Sequence, residues 1–581
     1  SLNLLEKNLG NLTNQAATVK VFQRTIAYSY TVAAIMSVFP AHPIYTSFEL
    51  SARAMALANQ LIKQTNKDPK IASVQVQVAW TLIGSIMCLG PNLVKIHLPQ
   101  LLLLWKSALP KPTGKEANAI RSEPEWSLLF HTRECVTGSI YSFLAHNSQS
   151  LVTLDIAKRI AALLNNTLAF LQTAPTTFTA TTMSPCTPYE TRLIDQFYSL
   201  RRRIFQCFIT IRPLLSTYES SLSSLLRNSL SVFTEPDRIS PSSGAQHQVT
   251  ATVPGQFVSV WNTADGHGYG VTSKMQGYHV DVASQSEDGS DESTNSGKEW
   301  MTKDRFERIE ELLERPVIGS LELDPFYSYT NITNYDSGTS QQQLPSQQQS
   351  LKTKKKYVIP QPVSPSTSYI NASIELFATL FANQPAPIQE STFELMVKVV
   401  KDSKLEKNSP KRAAVLVKNM MAFAKKRKGE SIAFSPRATQ LAQEILMEVV
   451  VHPDPYLRNA ASETIGRLSS IVGGSFVAAQ MQLLVDLVVS NRDPDVRAGC
   501  ALAIGYIYTH VGGMAAAAHL KTIVGILLSL SSDPHPVVHA WALEAMAMTV
   551  SAAGLMFSGY VNSTLGMVAK LYLSETHEPG S

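Results

Sequence analysis

Apolar positions recur along most of this chain at steps of three and four, the spacing of one face of an α-helix. In residues 1–233 the pattern predicts helices over about 14–38, 46–65, 71–90, 93–107, 125–146, 151–172, 189–211 and 214–233. Breakers lie between them: Pro40 and Pro43, Asp68-Pro69, Gly90-Pro91, Pro110 and Pro112, Pro175, and Pro185 with Pro188. Strand-length alternation of β-branched residues is nearly absent, which argues against a sheet. The helical pattern stops at 234 and resumes near Tyr369.

The last 130 residues repeat themselves. Asp454-Pro455 precedes Arg458, Ala461, Ile465 and Gly466. Asp493-Pro494 precedes Arg497, Cys500, Ile504 and Gly505. Asp533-Pro534 precedes His539, Ala542, Met546 and Ala547, so the Arg/His positions are 39 and then 42 residues apart. The stripe Leu457, Ala461, Ile465, Leu468, Val472 steps in register with Val496, Cys500, Ile504, Ile507, Val511. Each copy breaks at a glycine pair, Gly473-Gly474 or Gly512-Gly513, before a second apolar helix. A period near 40 with two helices marks HEAT or armadillo repeats. The clearest copies span 452–491, 492–531 and 532–574.

Each repeated position has a physical role. Asp caps the new helix and Pro suits its first turn. Small residues such as Gly466 let helices approach closely. Arg458 and Arg497 can reach an Asp of the preceding repeat, and His539 weakens the third copy. A looser copy runs from Asp68-Pro69 through Ala79, Trp80, Ile83 and Gly84 to Gly90-Pro91 and Leu98–Trp105. The expected architecture is therefore an all-α, HEAT/armadillo-type α-solenoid in two stretches, 1–233 and 366–581, interrupted by a long disordered insertion.

Residues 234–365 form that insertion. They are rich in Ser, Gly, Thr, Asn and Gln and hold the acidic cluster Glu287-Asp288-Gly289-Ser290-Asp291-Glu292. Such a segment buries too little apolar surface to offset chain entropy. One short helix is expected near 298–314, with Phe306, Ile309 and Leu313 on one face.

Charge sharpens the division. Residues 1–233 carry 21 Lys/Arg and 11 Asp/Glu, whereas 234–365 carry 11 and 17. The net charge of the whole, +5, is too balanced for a dedicated nucleic-acid binder. The five cysteines form no C-x-x-C pair, so neither a disulfide framework nor a zinc site is expected. The densest apolar stretch, Leu98–Trp105, is too short to span a membrane, and no signal peptide opens the chain. The first residue is not Met, and the chain reads as an excerpt of something longer.

Chemistry finds no foothold. G-x-S-x-G, H-E-x-x-H and P-loop patterns are missing, and the histidines are not expected to cluster with cysteines or carboxylates. No catalytic, cofactor-binding or metal-binding residue is nominated, and the chain reads as a non-enzyme. Three features suit partner recruitment. One is the acidic cluster around Ser290, which phosphorylation would charge further, beside the plainer reading of solubilising sequence. Lys425-Lys426-Arg427-Lys428 suits anionic lipid, an acidic peptide or a nuclear-transport signal, beside the plainer reading of a solvated helix end. Asp324-Pro325-Phe326 resembles tripeptides that bind clathrin-adaptor ear domains. Self-association through the last repeat, which lacks a polar cap, is a further expectation.

Ordered segments add a resemblance. Ala79-Trp80-Thr81-Leu82-Ile83-Gly84, Leu89-Gly90-Pro91 and His97-Leu98-Pro99 with Leu101–Lys106 are similar to the HEAT repeat-containing protein 5 family. So are Val511-Gly512-Gly513 with His519–Thr522 and Ile526–Leu528, and Gly559-Tyr560-Val561 with Thr564-Leu565. The resemblance covers roughly 70–110 and 450–575. It implies a very long cytoplasmic scaffold of vesicle traffic that associates with a clathrin adaptor complex and accessory proteins. The implied location is the trans-Golgi network, endosomes and clathrin-coated vesicles, with peripheral membrane contact. The residues themselves leave two alternatives open, a HEAT-repeat nuclear transport receptor and the helical arm of a giant kinase.

Overall fold

The fold is taken from a computed structural model. It describes residues 2–12, 19–41, 48–113, 121–174, 193–211, 224–230, 365–403, 409–453, 455–512 and 516–574. The expected helix at 298–314, the acidic cluster around Ser290, Asp324-Pro325-Phe326 and Asp454 lie outside the described residues. Among the described residues every regular element is a helix. They fall into two compact units: residues up to 211 with 365–372, and 224–230 with 373–574.

The first unit holds α1 (Leu2–Leu12), α2 (Val19–Val38), α3 (Phe48–Lys63), α4 (Pro69–Met87), α5 (Pro91–Ala108), α6 (Glu123–Leu151), α7 (Leu154–Gln172) and α8 (Leu193–Ile211). Of these, α2, α4, α6 and α8 pack on one another in succession as an inner layer. Helices α1, α3, α5 and α7 cover them in turn. Helix α4 is buried along most of its length, from Ala72 to Met87, because an inner helix touches neighbours on nearly every side.

Helix α9 (Pro365–Leu380) contributes its first residues to the first unit and the rest to the second. The second unit continues with α10 (Ala386–Ser403), α11 (Ser409–Lys426), α12 (Pro436–Val450), α13 (Pro455–Val472) and α14 (Gly474–Ser490). It ends with α15 (Pro494–Val511), α16 (Leu520–Leu530), α17 (Pro536–Ala553), a 3-10 segment (Gly554–Tyr560) and α18 (Val561–Ser574). Here α11, α13, α15 and α17 are the inner row, with α12, α14 and α16 against it. Each unit is a HEAT-type α-solenoid.

One local device begins an inner helix in both units. At α4, Asp68 N–H donates to Asn66 Oδ1 and Lys70 N–H donates to Asp68 Oδ1, both at 2.9 Å. At α15, Asn491, Asp493 and Asp495 repeat the same two bonds at the same lengths. The shared sequence, Asn-(Lys/Arg)-Asp-Pro, satisfies amides that a helix start would leave unpaired. The third copy departs from it. Asp533 accepts from His535 N–H, but α17 starts two residues later, at Pro536, with His535 at the cap and no side-chain cap bond. That two-residue offset, on top of a 40-residue step from Asp493 to Asp533, gives the 42-residue step.

The expectation that no segment could span a membrane needs correction. Pro536–Leu573, the run of α17, the 3-10 segment and most of α18, is long and apolar enough to do so by length and composition. Alanine and methionine, spread over α17, raise its apolar content without forming a dense run of leucines. Helix α17 nevertheless buries Val538, Ala542, Ala545, Met546 and Thr549 inside the unit, and Gly554, at φ 52, interrupts the run. A core helix of a solenoid passes the same length test.

Candidate interaction surfaces

The repeated residues sit at the joints between inner helices. A Cβ on Gly466 would lie 2.5 Å from the Tyr506 carbonyl oxygen, and one on Gly505 would lie 2.8 Å from Ala545 Cα. Gly499 is tighter still, since its Cβ would lie 2.1 Å from the Val450 carbonyl oxygen. Only a hydrogen fits there. Ser462 Oγ donates to the Gly499 carbonyl at 3.1 Å, and Tyr506 Oη donates to Asn459 Oδ1 at 3.2 Å.

Arg458 crosses the same joint. Its side chain is 2% exposed, donates to the His452 and Pro453 carbonyls at 3.0 and 2.7 Å, and pairs with Asp495 at 2.8 Å. Its aliphatic stem lies over Gly499, and its guanidinium stands 4.8 Å from the centre of the Trp541 ring. Arg497 pairs in the same sense with Asp533. Both arginines reach the following repeat, whereas the sequence suggested the preceding one. An arginine in the first turn of an inner helix lies beside the start of the next inner helix, where that acid sits. His539 is half-buried on α17. These residues build the solenoid, and the geometry gives them scaffold roles.

The basic strip is partly tied down. Lys426 Nζ donates to Thr379 Oγ1 at 2.5 Å. It also faces Glu375, whose carboxyl is raised by burial while the lysine opposes the rise. Arg427 pairs with Glu430 at 3.0 Å and Lys425 is half-buried. Lys428 is exposed at the strip's end.

One histidine does cluster with a carboxylate and a cysteine, contrary to expectation. His131, Glu134 and Cys135 bring three donor atoms within 4.8 Å of one another, because i, i+3 and i+4 share one helix face. That spacing was legible in His-Thr-Arg-Glu-Cys. Glu134 pairs with Arg203 at 3.4 Å, and the arginine's side chain is 1% exposed. Using the carboxylate as a metal ligand would strip a buried guanidinium of its partner, a large cost. Burial lowers His131 and His146, the latter 3.4 Å from Cys88 Sγ. Burial also pushes the Cys88 thiol up to about 11 and Cys500 to about 12, so both stay protonated and poorly nucleophilic near neutrality.

Large apolar side chains reach solvent at several points, among them Leu4, Leu154, Leu483 and Val489, and two further places stand out. On α5, Ile96 and Leu103 are 60% and 68% exposed. At the end of the second unit, Leu555, Leu565, Tyr572 and Leu573 are exposed along the 3-10 segment and α18. Sequence reading treated α5 as an ordinary covering helix and missed this surplus. The signal was there: its leucines occupy more faces than one buried stripe needs.

No protein-family model matches the chain. Among curated relatives it is similar to the AP-1 accessory protein LAA1 of Saccharomyces cerevisiae, 21% identical over 561 residues. That alignment takes in 90% of this chain and 25% of the relative, so the chain spans about a quarter of the relative's length. Among solved structures, the karyopherin Kap121p bound to the SUMO protease Ulp1p overlaps 99% of the chain and 44% of Kap121p. The TM-score is 0.37 at 10% identity. An engineered protein overlaps 94% of the chain with a TM-score of 0.25 at 12% identity.

Proposed function

We propose that this chain is a non-enzymatic scaffold of vesicle traffic, which binds a clathrin adaptor complex and its accessory proteins and helps hold them at the trans-Golgi network and endosomes. One observation carries the reading: the likeness to an AP-1 accessory protein runs through both units, over 561 residues, and is not confined to a single repeat. The architecture suits it. Stacked helix pairs offer long surfaces built from many repeats, and neither unit depends on a reactive side chain. The chain's location on this reading is cytoplasmic, peripheral to those membranes and to clathrin-coated vesicles.

Affinity capture from cytosol with the 581-residue chain tests this. Recovery of adaptor subunits or known adaptor accessories is the expected result. Recovery of neither, with capture of a Ran-type GTPase in its GTP form, would replace the scaffold with a nuclear transport receptor.

A further inference from the structure

Helix α5 turns Val94, Leu101 and Trp105 inward, where it packs against α6 and α4. Its outward positions are more apolar than those of its neighbours α3 and α7, although α14 also exposes Leu483 and Val489. On α3 the exposed side chains include Glu49, Arg53, Gln60 and Lys63, and on α7 they include Asp155, Lys158, Arg159 and Asn165, with Leu154 the one large apolar side chain exposed at its start. On α5 they include Ile96, Pro99, Gln100 and Leu103, with Lys95 and Lys106 beside them and Asn92 and Ser107 toward the two ends. At 100° per residue, Ile96 and Leu103 point within about 20° of each other, and so do Lys95 and Lys106. The lysines form a row on one flank of the apolar ridge. Exposed Lys111 follows just past the helix, and residues 91–113 contain neither Asp nor Glu.

We propose that the outer face of α5 rests on an anionic lipid surface. Ile96 and Leu103 enter the headgroup layer, while Lys95, Lys106 and Lys111 meet lipid phosphates and carboxylates. Two features choose lipid over an acidic peptide. First, a helical peptide needs a groove between two helices, whereas Ile96, Pro99 and Leu103 stand on the crest of one. A fluid headgroup layer closes around single side chains without a groove. Second, the charge lies in a row beside the apolar ridge, where lysine stems can lay their methylenes against the interface and keep the ammonium in the headgroups. The proposal assigns membrane contact to the first unit and not to Lys425–Lys428, two of whose cations are bound within the second unit.

The test is co-sedimentation of the full chain with vesicles of phosphatidylcholine alone and of phosphatidylcholine mixed with phosphatidylserine. Binding is expected to the mixed vesicles alone and to weaken as salt rises. K95E/K106E should lower mixed-vesicle affinity by more than about tenfold, and I96S/L103S by about tenfold. All four positions are exposed, and unchanged circular dichroism and melting temperature would show that the variants fold. Equal binding to both vesicle types would overturn the proposal. So would wild-type affinity in both variants, or capture of an acidic helical peptide on α5 with no vesicle binding. The proposal goes beyond the adaptor reading and fails separately from it, because both variants should still capture adaptor subunits from cytosol.

Discussion

The last repeats of the second unit and the repeats of the first are joined by different means, although the second unit also holds a cluster of Phe377, Phe381, Phe393, Phe423 and Phe434 ahead of those repeats. In the last repeats of the second, inner helices meet backbone to backbone at Gly466 and Gly505, Gly499 lies against the Val450 carbonyl at the end of α12, and Arg458 and Arg497 pin each joint to an aspartate. In the first, large side chains fill the joints. Trp126, Phe130, Phe170 and Phe197 form an aromatic cluster, Arg133 lies 3.6 Å from the centre of the Phe170 ring, and Trp105 packs on Phe143 while its Nε1 donates to Ser139. A glycine joint accepts one residue at one position. An aromatic joint accepts several shapes, because neighbouring rings can shift to fill the space.

The sharpest way to break this contrast is to overfill a glycine joint. Gly499→Val should destabilise the second unit by about 3 kcal/mol or more, since its Cβ would meet backbone. Hydrogen exchange should show α13, α15 and α17 opening while α4 and α6 stay protected. Equal loss in both units would show that they are not energetically separate.

Arg458→Ala comes next. It removes a buried guanidinium and two carbonyl partners and should cost about 3 kcal/mol, with Asp495→Ala costing about half as much. Urea unfolding of both variants and the double variant would measure the coupling. Additive losses would refute the pairing.

Acid should separate the units in the other direction. Burial holds the folded His97, His131 and His146, all in the first unit, below the ordinary histidine value. The unfolded chain therefore binds protons first, and stability falls as pH drops from about 7 through the ordinary histidine range. Exchange at pH 7 and pH 5 should show greater loss of protection in α4–α6 than in α13–α17. His146→Gln should reduce that difference.

The smallest effect should be shared. Asp68→Ala and Asp493→Ala each remove the same exposed cap bond, and each should cost about 1 kcal/mol in thermal melts. Unequal costs would mean that the matching caps carry different loads.

The same contrast explains what could be read from the sequence. The 39-residue period is plain between α13 and α15, where glycine, arginine and aspartate recur at one place each, and is looser at α17, which has His539 and Ala547 instead. In the first unit only Asn66-Lys67-Asp68-Pro69 and the Gly90 break were legible, since its aromatic joints impose no fixed spacing. Helix positions were recovered there from periodicity alone, and α1, a short amphipathic helix before the first predicted one, was missed. The direction of the Arg–Asp pairs was not legible, because a linear alignment does not say on which side the next helix packs. The surplus of apolar faces on α5 was legible, but which of them is exposed was not: Ile96 and Leu103 look like core residues until α6 is seen to occupy only the opposite face.

Arg458 has a statistical consequence. A repeat array is usually a one-dimensional chain in which each unit is coupled to its nearest neighbours alone. By touching its own repeat, Asp495 in the next and Trp541 in the one after, Arg458 adds a second-neighbour coupling. The last three repeats should then come apart under force as one block with one extension step, where independent joints would give three.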